Sequence, residues 1–341
     1  MPVESDIPLT GPAAWLARAR RLRRHPVTRG AMALCGVLLV AASLYYLWAG
    51  LSPWLRNPDW RALSPRWGPL AAALLAFSIC PLLRGIMWWQ LLSALGIRAP
   101  LPECLLTQAR ANLIKYVPGG FWEPAGKAYL SGRTLPERAA AGVAALLDLG
   151  AMVATGLAAA LVTVPARGDM LSLTPAVRWG LLVLIIAGLL ATPWALGALV
   201  RRAPARWRPA SSAVGPRRYY LAVLVMLTHW VLAGVGFALL AASLGGEGVG
   251  VPFGIYALAV SATAGLLVIV APAGVGVREA LLTRLLRQRM PLAPASFAAI
   301  LSRVGLVAGE FIALGALLAF ARLGRWRAGQ RRASSYPSGS G

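Results

Sequence analysis

The chain has 341 residues, of which 58% are apolar and 13% are charged, and its mean hydropathy is +0.66. A soluble domain carries about 25% charged residues, so this composition indicates an integral membrane protein and excludes a soluble enzyme, a secreted disulfide scaffold and a disordered chain. The formal charge is +23, and most of the basic residues lie between the apolar runs. Membrane orientation and anionic lipid explain basic residues at such positions better than nucleic-acid binding does. We therefore expect no nucleic-acid partner.

Apolar runs predict the membrane spans, because a crossing helix needs about 20 mostly apolar residues. Six segments meet this length: 31–51, 69–92, 139–164, 177–200, 219–244 and 295–321. The segment 253–271 is ambiguous. The segment 105–117 is too short and contains Arg110 and Lys115, which indicates a half-helix or a re-entrant segment. The predicted fold is an all-α polytopic membrane protein with about six full spans plus re-entrant or broken helices.

The positions of Lys and Arg predict the orientation, since cytoplasmic loops hold the excess of them. The N-terminal arm (1–29), the segment 96–138 and the segment 201–218 each carry six basic residues. This pattern predicts a multi-pass protein of the plasma membrane with a cytoplasmic N-terminus. The tail, 323–341, is also basic and is predicted to be disordered. It lies inside if 253–290 enters and leaves on the outer side, and outside if that region crosses the membrane.

Two stretches, 101–165 and 253–321, resemble each other and predict an internal repeat within the transmembrane domain, 30–322. Each contains a Pro-small-Gly break, a short polar helix, a second proline and a span with a charged residue. Thirty residues separate Pro118 from Asp148, and 31 separate Pro272 from Arg303. With three crossings between the breaks the repeat is inverted, an arrangement common in transporters. With four crossings it is parallel.

The two breaks are the candidate binding elements. Pro118, Gly119 and Gly120 cannot continue a helix, and irregular backbone at membrane depth is tolerated where it lines a cavity. Free backbone N–H groups at the start of the following helix favour an anion. Both lysines of the chain, Lys115 and Lys127, flank this break, and a compact ammonium suits a phosphate oxygen. An alternative is that they contact lipid headgroups at the surface.

Four charged residues lie deep inside predicted spans, away from their ends, where an unpaired charge is costly. They are Arg84, Asp148, Arg303 and Glu310. The repeat relates Asp148 to Arg303, so we expect these opposite charges to approach each other or to share one polar cavity. They form either a structural ion pair or part of a substrate path. Scattered cysteines and histidines predict neither a metal site nor a cofactor.

Two signatures resemble those of the lysylphosphatidylglycerol synthase transmembrane region family, also called flippase-like domain proteins. Residues 115–122 (KYVPGGFW), followed by Gly126-Lys127, are similar to the first signature, and residues 272–279 (PAGVGVRE) are similar to the second. Ala273 replaces a glycine, and Lys127 stands where arginine is more usual. The resemblance implies the membrane half of such synthases, without the soluble aminoacyltransferase domain. It implies a role in moving or handling anionic or modified lipids.

These observations together predict a lipid translocator that binds an anionic or modified headgroup in a basic intramembrane cavity. The predicted substrate-binding residues lie in and beside the breaks: Arg110, Lys115, Pro118, Gly119, Gly120, Trp122, Glu123, Lys127, Pro272, Gly274, Gly276, Arg278 and Glu279. No residue is predicted to be catalytic. The alternatives are a membrane enzyme that uses Glu123 or Glu279 on a lipid carrier, and a subunit supporting a separately encoded synthase or glycosyltransferase.

Overall fold

The computed structural model describes residues 65–114, 122–134, 138–164, 173–202, 215–267, 274 and 276–334. Over these residues the chain forms helices and no strands. In chain order the helices are α1 (Trp67–Ala94), α2 (Leu101–Ile114), α3 (Trp122–Thr134), α4 (Arg138–Thr163), α5 (Pro175–Arg202), α6 (Pro216–Ser243), α7 (Val251–Leu267), α8 (Val277–Leu286) and α9 (Leu292–Ser334).

Five of these helices are long and apolar enough to cross a membrane, namely α1, α4, α5, α6 and the first 31 residues of α9. They coincide with five of the six predicted spans and confirm a polytopic helical membrane protein. The predicted first span, 31–51, and the N-terminal arm lie outside the described residues, as do 335–341 of the tail. Helix α7 has 17 residues, which is at the lower limit for a span, and it is not among the five helices above.

Helices α7 and α8 form a hairpin whose two ends lie together. The guanidinium of Arg289, after α8, lies 5.2 Å from the ring centre of Phe253, at the start of α7. At the tip, a side chain added to Gly274 would meet the carbonyl oxygen of Gly265 at 2.8 Å, and Gly274 has φ +69°, so only glycine fits there. The region 253–290 therefore leaves on the side that it entered, which supports the six-span alternative.

Helices α1 and α6 are an antiparallel pair joined by reciprocal backbone hydrogen bonds. The N–H of Arg66, before α1, donates to the carbonyl of Ser243 at the end of α6 (2.9 Å). The N–H of Gly215, before α6, donates to the carbonyl of Ala94 at the end of α1 (2.8 Å). Both helices have 28 residues, and each is followed by a glycine of positive φ, Gly96 at +79° and Gly245 at +80°.

The packing of the other helices shows the same two-fold relation as the α1–α6 pair. If α1–α4 are exchanged with α6–α9 in order, each packed pair maps onto another: α1–α2 onto α6–α7, α4–α7 onto α9–α2, and α1–α9 onto α6–α4. Only α5, which packs against α4, has no counterpart among the described helices. This packing is what an inverted repeat produces. We infer that each copy begins with α1 or α6, one span earlier than the sequence predicted.

Close packing within each copy depends on a glycine, and Gly234→Ala tests it. The new Cβ would lie 2.9 Å from the backbone nitrogen of Ile255 on α7. Gly85 is equally confined in the other copy, where an added Cβ would lie 3.0 Å from the Cα of Leu105. We expect the free energy of unfolding to fall by about 1–3 kcal/mol, measured by thermal denaturation in detergent. Gly188→Ala on α5, which has open space around it, is the matched control and should not destabilise.

Candidate functional site

A cavity of about 190 Å³ lies between the two copies at the middle of the long helices. Its wall includes Pro81 on α1 and His229 on α6, which stand near the centres of their 28-residue helices. His229 Nδ1 lies 3.3 Å from the carbonyl oxygen of Cys80. The starts of α3 and α8 complete the wall, with Glu123 from α3 and Arg278 from α8. The packing thus brings the first turns of these two short helices to one central space.

Four charged side chains form the first ion cluster beside this cavity: Arg84, Glu123, Lys127 and Asp148. Arg84 Nη1 lies 2.7 Å from Glu123 Oε1, and Arg84 Nη2 lies 3.1 Å from Asp148 Oδ2. Lys127 Nζ lies 2.5 Å from Asp148 Oδ2 and 3.3 Å from Glu123 Oε1. Lys127 is 0% exposed and Asp148 is 1% exposed. The pairing explains how these charges are tolerated inside the protein, because each cation meets two carboxylates.

Glu279 and Arg303 form the second ion cluster at the tip of the other hairpin. Arg303 Nη1 lies 3.3 Å from Glu279 Oε1. The other carboxylate oxygen, Glu279 Oε2, accepts a 2.6 Å hydrogen bond from the backbone N–H of Gly276 and so caps α8. Gly276 has φ +86°. Glu279 therefore fixes the start of α8 and places Arg278 and Arg303 on the cavity wall.

The cavity and the two clusters contain charges of both signs. Eight charged side chains of the described residues take part: Arg84, Lys127, Arg278, Arg303, Glu123, Asp148, Glu279 and Glu310. Four are basic and four are acidic, so their formal charges cancel. Around Arg84, which also interacts electrostatically with Glu310, the acids are in excess. Around Arg303 the bases are in excess. The described part of the cavity is therefore mixed in charge, where the sequence predicted a basic one.

Asp148 and Arg303 do not form an ion pair with each other, and each pairs with other residues instead. Asp148 pairs with Arg84 and Lys127, and Arg303 pairs with Glu279. Helices α4 and α9 are not among the helix pairs that pack closely. Each charge instead pairs with the short helix of its own copy, Asp148 with Lys127 on α3 and Arg303 with Glu279 on α8. Both arginines still line the cavity, and Asp148 adjoins it through Arg84.

The predicted binding residues divide into four groups. Glu123, Gly274 and Arg278 lie on the cavity wall. Lys127 is buried behind that wall, and Arg110 is exposed on α2, so among the described residues these two cations do not line the cavity. Gly276 and Glu279 lie at the start of α8, joined by the capping hydrogen bond, and are not part of the wall. The remaining predictions lie outside the described residues: Lys115, Pro118, Gly119, Gly120 and Pro272, together with the side chain of Trp122.

The sequence analysis missed three polar residues of the site: Trp88 on α1, and Gln108 and Asn112 on α2, which forms the first hairpin together with α3. Gln108 Nε2 donates to Asn112 Oδ1 at 2.6 Å and to Glu123 Oε1 at 3.1 Å. Trp88 is fully buried, with Lys127 Nζ 5.6 Å from its ring centre. The sequence did contain one indication of them. Gln108 and Asn112 are two amides four residues apart on a short apolar helix, and this spacing places both on one face of it.

A family model described as the lysylphosphatidylglycerol synthase TM region matches residues 33–312. The match covers most of the chain and all of the cavity wall described above. No curated protein matches the chain. Among the described residues, no group of three His, Cys, Asp or Glu side chains could hold a metal ion.

Proposed function

Because the chain belongs to the lysylphosphatidylglycerol synthase transmembrane region family, we propose that it moves lipids across the membrane and binds their headgroups in the central cavity. The family places the chain among multi-pass membrane proteins with a lipid-related function. One observation carries the proposal: a charged cavity lies at mid-depth, between the starts of α3 and α8, in two copies of opposite orientation. Charged groups inside a membrane are costly, and a passing polar headgroup is a reason to keep them.

The cavity dimensions and charges suit a phospholipid headgroup. A volume of about 190 Å³ is below the roughly 300–1,000 Å³ of pockets for drug-sized ligands, so the acyl chains stay in the bilayer. Arg278 and Arg303 are the phosphate contacts, because guanidinium groups bind phosphate oxygens in a fork. Glu123 and Glu310 are placed to meet a positively charged group on a modified headgroup.

The inverted packing supports transport by alternating exposure of the two copies. Trp230 on α6 donates a 3.2 Å hydrogen bond to Thr155 on α4, and its ring fills the space where a side chain at Gly156 would lie. In the other copy Pro81 stands at the position of Trp230 and Glu310 at that of Gly156, and all three of Pro81, Trp230 and Glu310 line the cavity. The two copies therefore offer different side chains to the same space, and exchanging their conformations would reshape it.

The hairpin geometry also supports a proposed orientation of the protein in the membrane. Because the α7–α8 hairpin returns to its own side, the end of α9 lies on the same side as the loops before α4 and α6. The segments 96–138 and 201–218 are both basic, so this side is proposed to be cytoplasmic. Arg284, Arg287 and Arg289 then lie on the opposite side, where Arg289 contacts Phe253, whereas Arg278 stays on the cavity wall.

The described carboxylates do not favour a membrane enzyme. Glu123 is held by Arg84 and Lys127, and Glu279 is held by Arg303 and the start of α8. A general acid or nucleophile would first have to break these pairs. A separately encoded synthase or glycosyltransferase stays a predicted partner.

Reconstitution tests the proposal directly. The purified protein is placed in vesicles with trace fluorescent phospholipids, one with an amine in its headgroup and one without. A membrane-impermeant reductant then bleaches the outer leaflet. We expect protein-containing vesicles to lose fluorescence well beyond the outer-leaflet half. Bleaching equal to that of protein-free vesicles, for both lipids, would contradict the proposal.

A further inference from the structure

The first hairpin has a polar interior that its counterpart lacks. Arg84, Trp88, Gln108, Asn112 and Lys127 lie between α1, α2 and α3, and each is at most 9% exposed. The equivalent positions of the second copy, in the same order, are Ala233, Phe237, Leu258, Ala262 and Leu282. Since apolar side chains fill the same place in one copy, the shared fold does not require polar ones in the other.

Four polar atoms in this interior have no hydrogen-bond partner among the described residues. Two are donors, Arg84 Nε and Trp88 Nε1, and two are acceptors, Gln108 Oε1 and Asp148 Oδ1. Their residues belong to one connected network. Arg84 and Lys127 share Asp148 Oδ2, Lys127 adjoins the Trp88 ring, and Gln108 donates to the Glu123 oxygen that pairs with Arg84.

Leaving four such atoms unpaired inside a protein costs free energy, and their chemistry indicates what pairs with them. A metal cation would use the two acceptors and be repelled by Arg84 and Lys127. An anion would use the donors and be repelled by Asp148. Water donates and accepts at once, and buried waters typically bridge two to four otherwise unsatisfied polar groups. We propose that the interior of the first hairpin, bounded by Arg84, Trp88, Gln108 and Asp148, is a buried water site.

The position of this water site beside the cavity suggests a role in headgroup binding, and this role rests on the proposed function. Arg84 stands between the water site and the headgroup cavity. When a phosphate draws the guanidinium toward the cavity, water replaces it at Asp148. Arg84 thus changes partners without leaving a bare carboxylate behind, while Lys127 stays paired. At the equivalent described positions the second hairpin holds Leu258 and Leu282, which cannot bind such water.

Hydroxyl-radical labelling by pulsed X-ray radiolysis tests the water site without any transport measurement. Radicals form from the water itself, so a buried side chain is oxidised where water is bound beside it. The full chain is irradiated in detergent in ordinary and ¹⁸O-labelled water, and oxidation is read by mass spectrometry. Trp88 is compared with Met226 on α6, which is equally buried at 0% exposure and has an intrinsically reactive side chain.

We expect Trp88 to be oxidised several-fold faster than Met226 and to carry ¹⁸O. We also expect Gln108→Leu, which copies Leu258 of the other hairpin, to reduce the labelling of Trp88. Labelling of Trp88 at or below the rate of Met226 in the unaltered protein would overturn the water site. That result needs no variant to fold, and it would leave the proposed translocation standing, because the vesicle assay reads a different property.

Discussion

Asp148→Asn should lower the free energy of unfolding by about 3–5 kcal/mol, the usual cost of breaking a buried ion pair from one side. Asp148 Oδ2 is shared by Arg84 and Lys127, so the substitution leaves two cations inside the protein with Glu123 alone. Thermal denaturation in detergent measures the effect. A variant within about 1 kcal/mol of the unaltered protein would contradict the structural importance of the first ion cluster.

A four-fold neutral variant is the matched control for Asp148→Asn. Replacing Arg84 and Lys127 by Met, Glu123 by Gln and Asp148 by Asn removes every charge of the first ion cluster at similar volume. Replacement of whole buried ion pairs by neutral groups is often tolerated, so we expect this variant to be more stable than Asp148→Asn. Arg303→Gln should add its own effect independently, because Arg303 pairs with Glu279 in the second cluster.

Arg278→Gln should reduce phospholipid transport by about 10–100-fold while leaving the unfolding temperature nearly unchanged. A hydrogen bond to a charged group contributes about 1.5–3 kcal/mol, and each 1.4 kcal/mol is a factor of ten. Arg278 lines the cavity at the tip of α8 and is placed to meet the phosphate. Initial rates in the vesicle assay measure the change. Arg278→Lys should recover part of the rate, since it keeps the positive charge.

Arg284→Gln is the matched control for Arg278→Gln, because Arg284 lies on the same helix and is exposed. It removes the same charge from the same side of the protein without touching the cavity. We expect transport close to that of the unaltered protein. If both variants lose transport equally, the effect comes from surface charge, and the assignment of Arg278 to the headgroup is wrong.

The long helices could be predicted from the sequence, since uninterrupted apolar length reports a membrane span directly. The bounds of α1, α4, α5 and α6 lie within about three residues of the predicted ones. The break at Gly274 could also be predicted, because proline and glycine mark it. Hydropathy predicts how deep a charged residue lies in the membrane, but not which neighbouring helix its side chain faces. Asp148 and Arg303 were predicted to approach each other or to share one polar cavity. They do not pair, because α4 and α9 do not pack closely, whereas Arg303 lines the cavity and Asp148 adjoins it through Arg84.

The polar network was harder to predict because its neutral members carry little signal. Gln108 and Asn112 resemble ordinary surface amides on a short helix, and their burial follows only from how α2 packs on α1 and α3. Lys127 was expected to face a ligand, yet it lies behind the wall because α3 turns it toward Asp148. Which helices become neighbours depends on the inverted packing of the two copies, and a single sequence shows that packing only faintly.

Helix α5 is mostly exposed, with 17% of its apolar stretch buried, so its main contribution is one additional membrane crossing. With α5, three helices cross the membrane from the start of α1 to the start of α6, and this odd number makes α6 antiparallel to α1. Without α5 the second copy would enter from the other face, and the bonds from Arg66 to Ser243 and from Gly215 to Ala94 could not both close. Many apolar sequences could serve in α5, provided that each still traverses the bilayer once.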